Sequence, residues 1–242
     1  MATKAYYNEI DPYAAQWLRN LMAAGHIPTG DVDERSITDV QPMDLEGYMQ
    51  CHFFAGIAGW SYALQLAGWP DDRPVWTGSC PCQPFSVAGL QKGRDDDRHL
   101  WPHFFRLIRE CRPEIVMGEQ VAGKAGYAWF DEVRSDLESE DYACNGVDIP
   151  ACAVNAPHLR QRLYWVASDT KRNEQPRQES CSGAPGRMGR KFKSVSWDTP
   201  WQSALSAFRA VDDGLPRRVG ATDAARNAIV PQIAAEVIKC LI

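Results

Sequence analysis

A cysteine held between two prolines is the most reactive arrangement that this sequence offers. Cys82 lies one residue after Pro81 and two residues before Pro84, in a loop at 78–86 that follows an apolar run at 74–77, and this run predicts a short buried strand. Prolines stiffen the backbone and remove amide donors, and ligands of open α/β sheets bind beyond the carboxyl ends of the strands. The loop therefore suits a reactive thiol. A proline-rich turn around a buried, inert cysteine is the alternative.

Two other stretches have residue types that suit a binding or catalytic site. Residues 54–59 read Phe-Ala-Gly-Ile-Ala-Gly between a predicted strand and a predicted helix, and such glycines let the backbone approach a ligand at a helix N-terminus. Glu119 ends an apolar strand predicted to begin at 113, where loss of water favours the protonated carboxyl and thus acid catalysis. The alternative for Glu119 is a surface acid at a strand end.

Basic residues are concentrated after position 160, although the 242-residue chain has a net charge of −5. Arg160 and Arg162 are two apart on a predicted strand, so their side chains share a face. Residues 160–193 contain nine basic and three acidic residues, a net charge of +6 that suits contact with phosphates. A solvated charged surface is the alternative.

These motifs together resemble the DNA cytosine-C5 methyltransferases. The resemblance rests on the Pro-Cys-Gln loop, the glycine loop, Gly118-Glu-Gln-Val121, Arg160-Gln-Arg-Leu-Tyr164 and 226–230, and it covers most of 51–168 and the last twenty residues. It implies an α/β fold: a Rossmann-like sheet with helices on both faces that binds S-adenosylmethionine. It also implies a catalytic domain formed by 1–168 and 221–242, and a reduced target-recognition segment at 169–220.

The order of the motifs departs from the family. Only 22 positions separate Gly59 from Pro81, which leaves no room for the two strand–helix units that the family has between these loops. Residues 8–14 and 30–32 resemble the missing ribose-binding and adenine-binding stretches. We therefore predict a local permutation in which the second and third strands of the family sheet come first in the chain. A deletion with an unrelated N-terminus is the alternative. Under the permutation, the helix after Gly59 connects the family's first strand directly to its fourth. It either keeps the face of the sheet that it covers in the family or makes a right-handed crossover.

The resemblance implies a role for each matching residue. Cys82 would add to C6 of cytosine, Glu119 would act at N3, and Arg162 would hold the O2 face, with Gln83 and Arg160 beside them. The cofactor-binding residues would be Glu9, Ile10, Asp31, Val32, Phe54, Ala55, Gly56, Ile57, Gly59, Pro81, Leu100, Asn227 and Ala228. The DNA-binding residues would be Ser86, Arg160, Lys171, Arg172, Arg187, Arg190, Lys191 and Lys193. Three positions depart from the family pattern: Ile10 replaces a stacking aromatic, Gln120 an asparagine, and Arg226 a glycine.

Composition limits the remaining possibilities. The eight cysteines are scattered without metal-ligand spacing, so we expect no metal and a reducing compartment. No apolar run approaches membrane-spanning length and the start lacks a signal-peptide core, so we expect a cytoplasmic protein with no membrane partner. The expected partner is double-stranded DNA, with the protein either a monomer or a homodimer. A tRNA cytosine methyltransferase and a catalytically silent nucleic-acid-binding relative remain as alternatives.

Periodicity and end signals place the elements that must position these residues. Asp11 and Pro12 predict the start of a helix that Gly25 would end, and Gly68 would end the helix after the glycine loop. Helices are predicted at 12–24, 60–67, 101–111, 129–139, near 201–208 and at 229–241. Strands are predicted at 4–8, 50–55, 74–77, 113–117, 142–149 and 163–167.

Overall fold

Seven strands form one sheet within the part of the chain that the computed structural model describes, residues 4–81, 100–154, 160–171 and 228–242. In space the strands follow the order β2-β1-β3-β4-β5-β7-β6. The first five are parallel, and β7 is antiparallel to both of its neighbours. Their bounds are β1 Ala5–Asn8, β2 Gly30–Asp33, β3 Gln50–Phe53, β4 Val75–Gly78, β5 Ile115–Val121, β6 Tyr142–Pro150 and β7 Gln161–Asp169.

Five α-helices cover the sheet within the described ranges: α1 Pro12–Ala23, α2 Gly59–Ala67, α3 Trp101–Cys111, α4 Lys124–Ser139 and α5 Pro231–Lys239. The predicted end signals are confirmed, since Asp11 accepts from the Ala14 amide at 2.9 Å and Gly68 ends α2 at φ 78°. Helix α4 begins five residues before its predicted start. Gly126 is the buried residue of its first turn, where it packs tightly against the Val121 carbonyl, and this turn shows no apolar periodicity that would have predicted it. The helix predicted near 201–208 lies outside the described residues.

The strand order confirms the predicted permutation. Strand β3, which leads into the glycine loop, lies between β1 and β4, although β1 and β2 precede it in the chain. The register aligns Asn8 with Asp33 and with Phe53, and Phe53 with Gly78. The carboxyl ends of four strands from different parts of the chain therefore meet at one edge of the sheet.

Different sets of helices cover the two faces of the sheet. The first face carries Tyr7, Met117 and Tyr164, and it is covered by α1, α2 and α5. The second face carries Phe53, Trp76, Val116 and Trp165, and it is covered by α3, α4 and the 34–49 connection from β2 to β3. Helix α2 packs against α5 through Trp60, Ala63, Leu64, Ile233, Ala234 and Ile238.

Helix α2 makes a crossover of the opposite hand to the other parallel crossovers. Both α1 and α2 lie on the first face, but α1 leads from β1 outward to β2 while α2 leads from β3 the other way to β4. The connections through 34–49, α3 and α4 lie on the second face and lead across the sheet in the direction opposite to α1. Because both the face and the direction are reversed, their crossovers have the same hand as that of α1. Since about 98% of such crossovers are right-handed, α2 is the exception. The permutation therefore leaves α2 on the face that the family resemblance implies, against the crossover rule.

No helix of the described residues is long and apolar enough to cross a membrane.

Gly118 is a point of close packing between β4, β5 and β7. A Cβ at this position would lie 2.3 Å from the Trp165 ring and 2.5 Å from the Gly78 carbonyl oxygen. We expect Gly118→Ala to lower the free energy of unfolding by about 1–3 kcal/mol, measured by urea denaturation. Gly146→Ala is the comparison, since its nearest atoms, at 2.8 Å, belong to the partly buried Phe130 ring, which can shift. An equal effect of both variants would contradict this account.

Candidate active site

The glycine loop after β3 has a backbone conformation that residues other than glycine rarely adopt. Phe54 and Ala58 have φ of 53° and 68°, and Gly56 has φ of 53°. Left-handed non-glycine residues cost on the order of 1–3 kcal/mol each and concentrate at ligand-binding segments. A Cβ added at Gly56 would meet no atom of the described residues within 4 Å, so these residues leave the space beside Gly56 open. The loop thus follows the carboxyl end of β3, and its backbone is unobstructed beside Gly56 by the described residues.

Glu9 reaches this loop from the neighbouring strand. It follows β1 directly, and its Oε2 accepts from the Gly56 amide at 2.7 Å while Oε1 accepts from the Asp11 amide at 2.9 Å. The Ala55 amide donates to the Asn8 carbonyl at 3.1 Å and fixes the same junction. A carboxylate oxygen has the capacity to accept more than one hydrogen bond. The structure therefore brings together Glu9 and the glycine loop, which are 47 residues apart, with acceptor capacity left for hydroxyl groups.

The two acids of β2 have different surroundings. Asp33, at the carboxyl end, accepts from the Tyr6 hydroxyl at 2.6 Å and binds Arg35 through both oxygens, and these contacts lower its pKa against the effect of burial. Asp31 lies at the level of Tyr6, two residues before the strand end, with 55% of its side chain exposed. Asp31 is therefore the acid open to a ligand, while Asp33 holds the turn after β2.

The other predicted cofactor residues divide between the two sides of this edge. Leu100 and Phe54 pack on the aromatic core of the second face. Ala55 and Val32 pack beside the cluster around Tyr7 on the first face. Ile10 is 64% exposed just after Glu9, which leaves an apolar surface there.

The loop after β4 is fastened to both neighbouring elements. The Ser79 hydroxyl accepts from the Trp60 indole of α2 at 3.0 Å and from the Glu119 amide of β5 at 3.2 Å. Gln120, which replaces the family asparagine, donates to the Cys80 carbonyl at 3.4 Å, so its side chain still reaches this loop. Cys80 is buried, and burial raises its pKa. Neither Ser79 nor Trp60 belonged to the predicted site. The signal in the sequence that could have indicated Ser79 was a hydroxyl side chain three residues before Cys82.

Near the carboxyl end of β5, the buried Glu119 forms an ion pair with the partly buried Arg162 of β7. Arg162 Nε donates to Glu119 Oε1 at 2.8 Å, and Glu119 is only 8% exposed. Antiparallel pairing of β5 with β7 aligns Val121 with Arg162, which places the two side chains together. Burial raises the pKa of Glu119, while the charges of Arg162 and Arg160 act in the opposite direction. The carboxyl therefore keeps a proton to a higher pH than an exposed glutamate.

A family model described as C-5 cytosine-specific DNA methylase matches residues 2–199, which include the residues that form these contacts. The chain belongs to this family.

Curated relatives of this chain are Type II methyltransferases. M.NgoMIV of Neisseria gonorrhoeae is 50% identical over 140 residues, which cover 55% of this chain and 44% of the relative. M.NaeI of Lentzea aerocolonigenes is 27% identical over 217 residues, covering 88% of this chain and 46% of the relative. The chain spans less than half the length of either. Among solved structures, a DNMT2 mutant from Spodoptera frugiperda aligns with a TM-score of 0.47 at 15% identity, covering 72% of this chain and 45% of that one.

The predicted nucleic-acid contacts of the chain are only partly within the described residues. Arg160 donates to the Ala228 carbonyl at 2.8 Å and so ties the segment before α5 to the start of β7. Lys171 pairs with Asp141 at 2.6 Å just beyond Asp169, and Arg162 and Asp169 are about 23 Å apart along β7. Lys171 is thus at the opposite edge of the sheet from Glu119. Cys82, Gln83, Ser86, Arg172, Arg187, Arg190, Lys191, Lys193 and Asn227 lie outside the described residues.

Proposed function

We propose that this chain transfers a methyl group from S-adenosylmethionine to C5 of cytosine in double-stranded DNA. The observation that carries the proposal is the junction at Ser79, whose hydroxyl joins α2 after the glycine loop to Glu119 on β5. This junction lies three residues before Cys82. The glycine loop, a buried acid and the segment leading to a candidate nucleophile therefore share one edge of the sheet, which supports the proposal.

The residues around the glycine loop fit the cofactor. Glu9 would accept from the ribose hydroxyls, Asp31 from the adenine amino group, and Phe54, Leu100 and Ile10 would supply apolar contacts. The open space beside Gly56, next to a carboxylate that already fixes the loop, is the observation that supports this fit. When bound, S-adenosylmethionine supplies an electrophilic methyl group on a sulfonium.

The remaining residues would act on the cytosine. The Cys82 thiolate would add to C6, and the Glu119 carboxyl would hydrogen-bond N3 as electron density moves to C5. Arg162 would hold the O2 face of the ring while keeping Glu119 in place. After methyl transfer, loss of the C5 proton and of the thiolate restores the aromatic ring. A target base must leave the duplex to reach such a site, at a cost of a few kcal/mol. We propose that 169–220 provides a short recognition segment and the remaining chain the catalytic domain.

Bisulfite sequencing of plasmid DNA from cells that express the chain tests the proposal. The expected result is 5-methylcytosine at a short repeated sequence, with unmodified DNA in cells without the chain. Purified chain is then assayed on matched deoxycytosine and ribocytosine oligonucleotides with labelled cofactor. Transfer to RNA alone would overturn the choice of DNA, and no transfer to either by a folded, cofactor-bound chain would overturn methyl transfer.

Removal of the Glu9 carboxylate is expected to weaken cofactor binding. A hydrogen bond to a charged group contributes about 1–3 kcal/mol, so Glu9→Ala should raise the dissociation constant of S-adenosylmethionine roughly 5- to 150-fold in calorimetry. Glu9→Gln keeps an acceptor for the Gly56 amide and separates loss of charge from loss of loop structure. Glu34→Ala, which removes an exposed carboxylate paired with Arg19, is the control. Unchanged affinity in both Glu9 variants would contradict the ribose role.

A further inference from the structure

The permutation creates a connection between β2 and β3 that crosses the second face of the sheet. Residues 34–49 form this connection, and Ile37, Val40 and Leu45 anchor it in the core. The connection brings Tyr48 beside β2 just before the chain enters β3. A residue outside all the sequence motifs is thereby placed next to the proposed adenine site.

Tyr48 is bonded to the acid of that site. Its hydroxyl donates to Asp31 Oδ2 at 2.7 Å, and its ring lies 5.4 Å from the ring of Tyr6. Lys4 also lies near Asp31, with its Nζ 3.7 Å from the same oxygen and its side chain 64% exposed. Burial and the bond to Asp31 raise the pKa of Tyr48 to about 12, so the phenol stays a donor at physiological pH.

A continuous row of aromatic rings joins Tyr48 to the glycine loop. Successive ring centroids are 5.4 Å apart for Tyr48–Tyr6, 6.0 Å for Tyr6–Phe53, 4.9 Å for Phe53–Phe104 and 6.2 Å for Phe104–Phe54. Leu100 packs on the same core. This row of rings thus connects the Tyr48–Asp31 pair to Phe54 and Leu100, the proposed apolar contacts for the cofactor, on the second face of the sheet.

We propose that Tyr48 is a positioning residue for the adenine of the cofactor. Its hydroxyl holds Oδ2 of Asp31, which limits rotation of an otherwise exposed carboxylate and leaves Oδ1 to accept from the 6-amino group. The inference rests on the proposed cofactor. It assigns to this chain a cofactor-site residue supplied by the connection that the permutation creates.

A double-mutant cycle with two ligands tests this role. Calorimetry of the full chain with S-adenosylhomocysteine and with its hypoxanthine analogue, which lacks the 6-amino group, measures how strongly each variant prefers adenine. We expect Asp31→Asn to remove most of the preference, and Tyr48→Phe to reduce it roughly 3- to 20-fold. The Asp31→Asn/Tyr48→Phe double variant should show no further loss, because Tyr48 acts through Asp31.

Controls separate this inference from the proposed function. Tyr62→Phe removes a hydroxyl from a 41% exposed tyrosine on α2 and should change neither affinity. Loss of adenine preference in Asp31→Asn but not in Tyr48→Phe would overturn the role of Tyr48 alone. Equal losses for both ligands would show a merely structural role and overturn it too. Failure of the wild-type chain to bind S-adenosylhomocysteine or S-adenosylmethionine would overturn both the inference and the proposed cofactor.

Discussion

Cys82→Ser is expected to reduce methyl transfer to the level of a reaction without enzyme, while binding of DNA and S-adenosylmethionine persists. C5 of cytosine is a poor nucleophile until a group adds to C6, and the covalent route divides one difficult step into easier ones. A serine hydroxyl is far less ionised and less nucleophilic than a thiol near neutral pH. Initial rates with labelled cofactor, together with fluorescence titration of DNA, measure the two properties separately.

A covalent trap makes the assignment of Cys82 specific. DNA with 5-fluorocytosine at the target cannot release the C5 substituent as a proton, so the Cys82 sulfur stays bonded to C6 after methylation. Wild-type chain should give an adduct on denaturing gels, and Cys82→Ser should give none. Cys152→Ser, which replaces an exposed cysteine, is the matched control and should behave as wild type. An adduct that survives in Cys82→Ser would assign the nucleophile to another residue.

Glu119→Gln is expected to lower kcat by about 10²–10⁴, the usual contribution of a positioned acid. Glutamine keeps a hydrogen-bond donor and nearly the same volume, but it cannot transfer a proton to N3. The Ser79 contact uses the backbone amide of Glu119, so it is kept in the variant. Single-turnover rates at saturating DNA report the chemical step directly. A rate within threefold of wild type would remove Glu119 from the reaction.

The pH dependence gives a second measurement on the same residue. Burial raises the pKa of Glu119 above the usual range of a glutamate, so the active protonated form persists below that pKa and is lost as the pH rises through it. The wild-type rate should therefore fall on the alkaline side with a midpoint above that of an exposed carboxyl, and Glu119→Gln should lack this fall. Glu114→Gln is the control, since Glu114 lies just before the start of β5, and this variant should keep the wild-type pH profile. If the rate of Glu119→Gln fell on the alkaline side as the wild-type rate does, the titrating group would be a residue other than Glu119.

Packing determined which face of the sheet α2 covers, which the sequence pattern did not predict. Apolar spacing and Gly68 located the helix correctly in the sequence, but neither chose a face of the sheet. On the first face Trp60 packs with Tyr164 and its indole reaches Ser79, while on the second face Phe104 already packs on Phe53 and Trp76. Contacts with partners far along the chain therefore fixed α2 where it makes the less common crossover.

Local signals determined the elements and the family motifs of this protein. A capping aspartate followed by proline, a glycine after a helix and apolar periodicity each depend on neighbouring residues, so α1, α2 and α3 could be predicted almost to the residue. The permutation also followed from sequence, because motif order and the 22-residue spacing are properties of the chain itself. Tertiary structure decided which distant groups meet: Glu9 with Gly56, Gln120 with Cys80, Arg160 with Ala228, and Tyr48 with Asp31. Such pairs depend on strand register and on the face that each connection crosses, and neither is encoded in a local pattern.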